Sequence, residues 1–210
     1  MTTRTPWVVG VSGASGTPYA KAVLNALLAA GHDVDLVISK AARLTILDET
    51  GIEWNDRRWT DLLLEWLGCE KESLDQVAHW SPGDLAAGPS SGTYKTLGMV
   101  VVPASTASVA GIALGLSKDL LQRAADVTLK ERRPLVVVPR ETPLGRSTLV
   151  HLLALHDAGA IVAPASPAFY GEAKGAASSQ QLVDFVAGKV LDLLGVSHQL
   201  SRRWDGELGN

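Results

Sequence analysis

Several short stretches of this chain concentrate groups that bind anions or move protons. The turn Ser12-Gly13-Ala14-Ser15-Gly16 follows directly on the apolar run Trp7-Val8-Val9-Gly10-Val11 and leads into a helical pattern. It therefore presents backbone N–H groups and two hydroxyls at a helix start, where the helix dipole favours negative charge. No Gly-Lys-Ser/Thr follows, and Gly10, Gly13 and Gly16 do not make G-x-G-x-x-G, so neither a P-loop nor a dinucleotide fingerprint is present. A serine-rich turn of this kind suits a monophosphate better than a pyrophosphate, and a tight connection with helix-capping serines is the plainer alternative. Ser39 and the stretch Pro103-Ala104-Ser105-Thr106-Ala107-Ser108 also follow apolar runs. Taken singly, Ser39 and Ser105 read as N-caps.

Charge collects further along. Arg123, Asp126 and Lys130 share one helix face, and Arg140-Glu141 closes the apolar run Leu135 to Val138. Guanidinium and ammonium groups there could hold a phosphate, and a neighbouring carboxylate could move a proton. The alternative is a solvated, salt-bridged face, which fits Arg132 and Arg133 better than Arg140. Lys189 interrupts the apolar stripe Leu182, Phe185, Val186, Val190, Leu193, so it either snorkels or reaches an anionic ligand or a partner subunit. Tyr170 lies just beyond the apolar run Ala160 to Ala163. Metal chemistry is disfavoured, because His151 and His156 are not an i, i+4 pair and His32, His79 and His198 are not grouped with acidic or cysteine partners into a ligand motif. No Gly-x-Ser-x-Gly elbow is present, which disfavours an α/β-hydrolase.

These groups need a scaffold that gathers them. Strands are expected at Trp7 to Val11, Val34 to Ile38, Met99 to Val102, Leu135 to Val138 and Ala160 to Ala163, each a short, β-branched, apolar run separated from the next by helical sequence. Strands apolar on both faces imply a mainly parallel, doubly wound sheet, and such sheets bind ligands beyond the strand C-terminal ends. Residues 52–80, with Trp54, Trp59, Trp66 and Trp80 among charges, read as an insert of helices or loops at the sheet edge, and 81–93 as a loop. With 210 residues, 46% hydrophobic and 20% charged, the chain is expected to form one domain over 1–210 with a C-terminal tail from about 197. A net charge of -3 gives no field for nucleic acid or an anionic membrane. Cys69 is the single cysteine, which fits a reducing, cytoplasmic setting, and no targeting or membrane segment is read.

Taken together, Gly10-Val11-Ser12-Gly13-Ala14-Ser15-Gly16, Ser39-Lys40-Ala41-Ala42-Arg43, Ser91-Gly92-Thr93, Arg123-Ala124-Ala125-Asp126-Val127, Leu129-Lys130-Glu131-Arg132-Arg133-Pro134-Leu135, Pro139-Arg140-Glu141-Thr142-Pro143-Leu144 and Pro167-Ala168-Phe169-Tyr170 resemble the UbiX-type flavin prenyltransferases. The resemblance implies a flavodoxin-like Rossmann sandwich of three layers, assembled as a homo-oligomer, typically a dodecamer, with active sites at subunit interfaces. It implies transfer of a dimethylallyl group from dimethylallyl monophosphate to N5 and C6 of reduced FMN, giving prenylated FMN for UbiD-type decarboxylases, without a metal. It places FMN on Gly13, Ala14, Ser15, Ser39, Ser105, Thr106, Ala107, Ser108 and Arg140. The prenyl phosphate falls to Ser91, Gly92, Arg123, Lys130, Arg140, Tyr170 and Lys189. Glu49 and Glu141 are then the acidic residues near the reacting centre, with Lys130 and Tyr170 beside them, and Trp204 is the aromatic of the covering tail.

One stretch departs from the family. Where it usually reads Pro-Cys-Ser-Met-Lys/Arg-Thr-Leu, this chain has Pro103-Ala104-Ser105-Thr106-Ala107-Ser108-Val109, without the basic residue and the methionine. That shifts the loop toward the Pro-Ala-Ser-Ala-Asn motif of the FMN-dependent cysteine decarboxylases. Those enzymes also carry Pro-x-Met-Asn-x-x-Met-Trp, whereas the methionines here are Met1 and Met99. An FMN-dependent decarboxylase and a non-catalytic flavin-binding or delivery subunit are the alternatives.

Overall fold

A computed structural model describes residues 4–169 and 178–201. Among the described residues, six strands form one all-parallel sheet in the order β3-β2-β1-β4-β5-β6. The strands are β1 (Trp7–Val11), β2 (Val34–Ile38), β3 (Val77–Trp80), β4 (Gly98–Ala104), β5 (Leu135–Pro139) and β6 (Ile161–Val162). Every residue of β1, β2, β4 and β5 is buried, as expected of a sheet covered on both faces. Side chains of one strand alternate between the covering layers. Val136 and Val138 join the core under α1 (Thr17–Ala29) and α7 (Ser179–Leu194), while Leu135 and Val137 join the core under α5 (Leu120–Lys130) and α6 (Arg146–Asp157). The result is a doubly wound, three-layer α/β sandwich.

The order in which strands are added reverses between β1 and β4, the parallel central neighbours of the sheet. A crevice at this switch point beyond the strand ends is where such folds place ligands. Buried Ser12 bolts it together. Its hydroxyl donates to the Pro103 carbonyl at 2.9 Å and accepts the Ser105 N–H at 2.7 Å, fixing the end of β1 to the end of β4.

The tryptophan-rich insert differs from expectation. It contains α3 (Trp59–Leu67), which buries Leu62, Leu63, Trp66 and Leu67, but its last four residues are β3, an edge strand paired in parallel with β2. Trp54 and Trp59 flank the His79 ring, the latter stacked on it at 5.7 Å. Asp56 lies 3.6 Å from the His79 Nε2, so that histidine has an acidic neighbour in space that its sequence surroundings did not show. Burial lowers the His79 pKa against the opposing pull of Asp56, keeping the ring neutral at neutral pH. Among the described residues no group of histidine, cysteine and acidic side chains could hold a metal ion, and no helix is long and apolar enough to cross a membrane.

Candidate active site

The rim formed by the strand C-terminal ends carries the densest polar apparatus. Ser39 caps α2 (Lys40–Thr50) by accepting the Ala42 N–H, and Ser105 caps α4 (Thr106–Ala113) by accepting the Ser108 N–H. Asp119 caps α5 in the same manner through Gln122. These helix starts line one cavity of about 360 Å³ together with Lys40, Ala41, Pro82, Gly83, Ala107, Ser108 and Lys118. Gly13 is required beside it, because a Cβ there would fall 2.5 Å from the Ala41 Cβ and push the first turn of α2 away. Hydroxyls, helix N-termini and a volume in the range of small-molecule sites make this a fitting cradle for a phosphorylated cofactor such as FMN.

The first turn of α1 holds an anion of the protein's own. Gly16, at φ 119°, provides no side-chain cap. Instead the Glu49 carboxylate, near the end of α2, accepts the Gly16 N–H at 2.8 Å, the Thr17 N–H at 2.8 Å and the Thr17 hydroxyl at 2.7 Å. Partial burial works to raise the Glu49 pKa, but hydrogen bonds from Thr17, Ser15 and Gly16 outweigh it and hold the carboxyl below its usual range. The expectation of two available hydroxyls in this turn is thus corrected: Ser12 is spent inside the fold, and Ser15 is exposed beside Glu49. Arg140 reaches the same turn, its Nε–H donating to the Ser15 carbonyl at 3.0 Å. Glu141 follows on the rim, exposed, its Oε1 accepting the Thr142 N–H.

A second cluster stands elsewhere. Arg123 donates through Nε to the Ser90 carbonyl and through Nη1 to Asp126, and Lys130 pairs with Glu131 at 2.6 Å. Gly92 permits this approach, because a Cβ would collide with Glu131 and Lys130. Ser91 bonds Thr93 through their hydroxyls at 3.0 Å. Arg133, expected to be solvated, instead clamps this loop by donating to the carbonyls of Gly92 and Tyr94 and to the Thr96 hydroxyl. The register shows where the cluster lies. Asp119 and Gln122 line the rim cavity at the start of α5, whereas Lys130 ends it and the chain re-enters the sheet at Leu135, opposite Met99 near the start of β4. An 11-residue helix spans about 16 Å, so one chain holds Lys130, and Gly92 beside it, toward the N-terminal ends of the strands, away from Ser39 and Ser105. Within one copy, Lys130 and the rim cavity thus stand at opposite ends of α5.

Lys189 is exposed on α7, 3.8 Å from Asp192. Tyr170 and Trp204 lie outside the described residues. Sequence reading did not single out Lys40, Pro82, Gly83, Lys118, Asp119 or Gln122 as cavity residues. The signal that could have found Asp119 and Gln122 is their capping spacing ahead of an apolar run.

The Flavoprotein family model matches residues 1–191. The chain is 66% identical to the flavin prenyltransferase UbiX of Streptomyces coelicolor, over 97% of each protein. A crystal structure of AnUbiX in complex with FMN and dimethylallyl pyrophosphate superposes with a TM-score of 0.81 at 35% identity, covering 97% of this chain and 99% of that one. A dodecameric FMN-dependent Ubix-like decarboxylase from Escherichia coli O157:H7 gives the same TM-score at 37% identity, over 96% of this chain and 100% of the other.

Proposed function

The chain belongs to the Flavoprotein family and is a UbiX-type flavin prenyltransferase using FMN, and from this premise we propose that its site is completed only when the rim cavity of one copy meets the α5 cluster of another. The protein takes a prenyl donor and works as a homo-oligomer. The finer reading is that the donor is dimethylallyl monophosphate, the assembly a dodecamer, the recipient of the product a UbiD-type decarboxylase and the setting the cytoplasm. The separation of Lys130, at the far end of α5, from the flavin cradle carries the interface reading. An exposed apolar ridge supports it: Leu149, Val150 and Leu153 on α6, with Leu114 and Leu116 beside it, are 46–60% exposed, a surface that a second copy would cover.

Reduced FMN would supply the nucleophilic N5 and C6 positions to which the five-carbon group becomes attached. Gly13, Ala14, Ser15, Ser39, the Ser105–Ser108 turn (with Thr106 and Ala107) and Arg140 would hold it. Arg123 and Lys130, with Ser91 and Gly92, would bind the phosphate and neutralise the charge it gains as the allylic C–O bond breaks. Glu49, held ionised by its hydrogen bonds, fixes the Ser15 turn beside the reacting groups. Glu141 would accept the proton released when the second C–C bond closes, Lys189 and Tyr170 would bind the prenyl phosphate, and Trp204 would cover the reacting centre.

The test is anaerobic incubation with reduced FMN and dimethylallyl monophosphate, followed by mass spectrometry of the released flavin. A mass gain of one prenyl group with release of inorganic phosphate is expected. Bound but unmodified FMN would contradict the donor and reaction assigned here.

A further inference from the structure

The loop that closes the rim cavity, Ser105 to Val109, carries hydroxyls but no basic side chain. Its neighbours supply the cations. Lys40 begins α2, and Lys118 immediately precedes the Asp119 cap of α5; both line the cavity, both are exposed, and neither forms an ion pair with a described residue. The Asp119 carboxylate lines it too, with Oδ1 engaged by the Gln122 N–H at 2.9 Å. The balance of these side chains is positive, at a point where the starts of α2, α4 and α5 add their own partial positive charge.

Lys118 stands on a backbone pinned from two sides. Its N–H donates to Gln122 Oε1 at 3.2 Å, and the Gln122 amide lies against Gly111 of α4, where a Cβ would collide with it. Two residues further on, the Leu120 N–H donates to the Pro82 carbonyl at 2.8 Å, tying the start of α5 to another residue of the cavity wall. The preceding residue, Ser117, takes φ 47°, and its hydroxyl donates to Asp126 at 3.4 Å. A long flexible ammonium on so fixed a root is placed to meet a phosphate seated among Ser39, Ser105 and Ser108.

We propose that Lys118 recognises the 5′-phosphate of FMN, supplying from the start of α5 the cation that the Ser105–Val109 loop lacks, with Lys40 as the weaker second cation. The assignment deepens the flavin prenyltransferase reading and rests on it. The phosphate is a monoester, and so is the phosphate of the prenyl donor; the α5 cluster around Lys130 already offers cations for the latter, which leaves the rim cavity to the flavin.

The test compares FMN with riboflavin, which differs by the phosphate alone, in fluorescence-quenching titrations of the full-length protein and its Lys118→Met and Lys118→Arg variants. Lys118→Met is expected to weaken FMN about tenfold to a hundredfold while leaving riboflavin unchanged, and Lys118→Arg to restore most of the loss. The KM for dimethylallyl monophosphate at saturating FMN should not move. Unchanged FMN affinity in Lys118→Met, or an equal loss for FMN and riboflavin, would overturn the assignment, as would a loss confined to the prenyl phosphate. Wild-type protein that takes up no FMN at all would instead overturn the functional reading beneath it.

Discussion

The rim cavity and the α5 cluster are built on opposite plans. At the rim, polar groups are bound into the backbone: Ser12 joins two strand ends, Ser39, Ser105 and Asp119 cap three helices, and Glu49 caps a fourth from across the turn. In the α5 cluster the cations are partly exposed and paired with neighbours on their own helix or the residue beyond it, Arg123 with Asp126 and Lys130 with Glu131. Exposed pairs of that kind contribute little to stability and exchange partners at low cost. The rim is thus pre-organised by the fold of one chain, while the cluster keeps charges that an incoming phosphate can take over. This contrast is what a site shared between copies requires: a fixed cradle on one side and available cations on the other.

The largest effects should separate the two regions by which ligand they touch. Glu141→Gln should retain FMN and lower turnover about a hundredfold, and Lys130→Met should raise the KM for dimethylallyl monophosphate at least about tenfold while leaving the FMN dissociation constant in place. Flavin titration and steady-state kinetics on the same preparations would blur the contrast if Lys130→Met weakened FMN as much as the donor.

Next in size is a stability effect confined to the rim. Ser12→Ala leaves the Ser105 N–H without its acceptor and the buried Pro103 carbonyl with the Ser12 N–H alone, at a cost of about 1–3 kcal/mol, read as a lower denaturant midpoint with an unchanged slope. Asp126→Ala in the α5 cluster should move the midpoint far less, and equal shifts would erase the distinction between the regions.

The smallest effect is in acid. The folded pKa of Glu49 lies below the unfolded value near 4.5, so its contribution to stability is present above that value and fades as pH falls through the lower folded value. Wild type and Glu49→Gln should therefore differ in stability at neutral pH and converge well below pH 4.5, with a modest gap because the carboxylate is largely exposed. Parallel pH profiles would mean that the charge at the start of α1 contributes nothing.

How much of this was legible follows from what each residue responds to. β1, β2, β4 and β5 were readable because burial on both faces demands continuous apolar runs. β3 was not, since Val77-Ala78-His79-Trp80 is a short, partly buried edge strand in which the polar His79 ring packs on Trp54 and Trp59, so no continuous apolar run marks it. The helix-face spacing of Arg123 and Lys130 was visible, but spacing along a helix says nothing about which end faces the rim; only the register of β4 and β5 does. Ser12 and Ser15 are chemically alike in sequence and are separated only by the turn that buries one and exposes the other. Lys118 looks like any solvated turn lysine until Gln122, Gly111 and Pro82 fix its backbone at the cavity wall.

The central claim, a site assembled from two copies, is tested most directly by complementation. Glu141→Gln carries an intact α5 cluster, and Lys130→Met carries an intact rim. Co-expressed with different tags and purified as mixed oligomers, the two variants should show prenyltransferase activity well above that of either alone, because some interfaces then join a wild-type rim to a wild-type cluster. Mixed oligomers no more active than the average of their parents would contradict the account and place rim and cluster in a single copy.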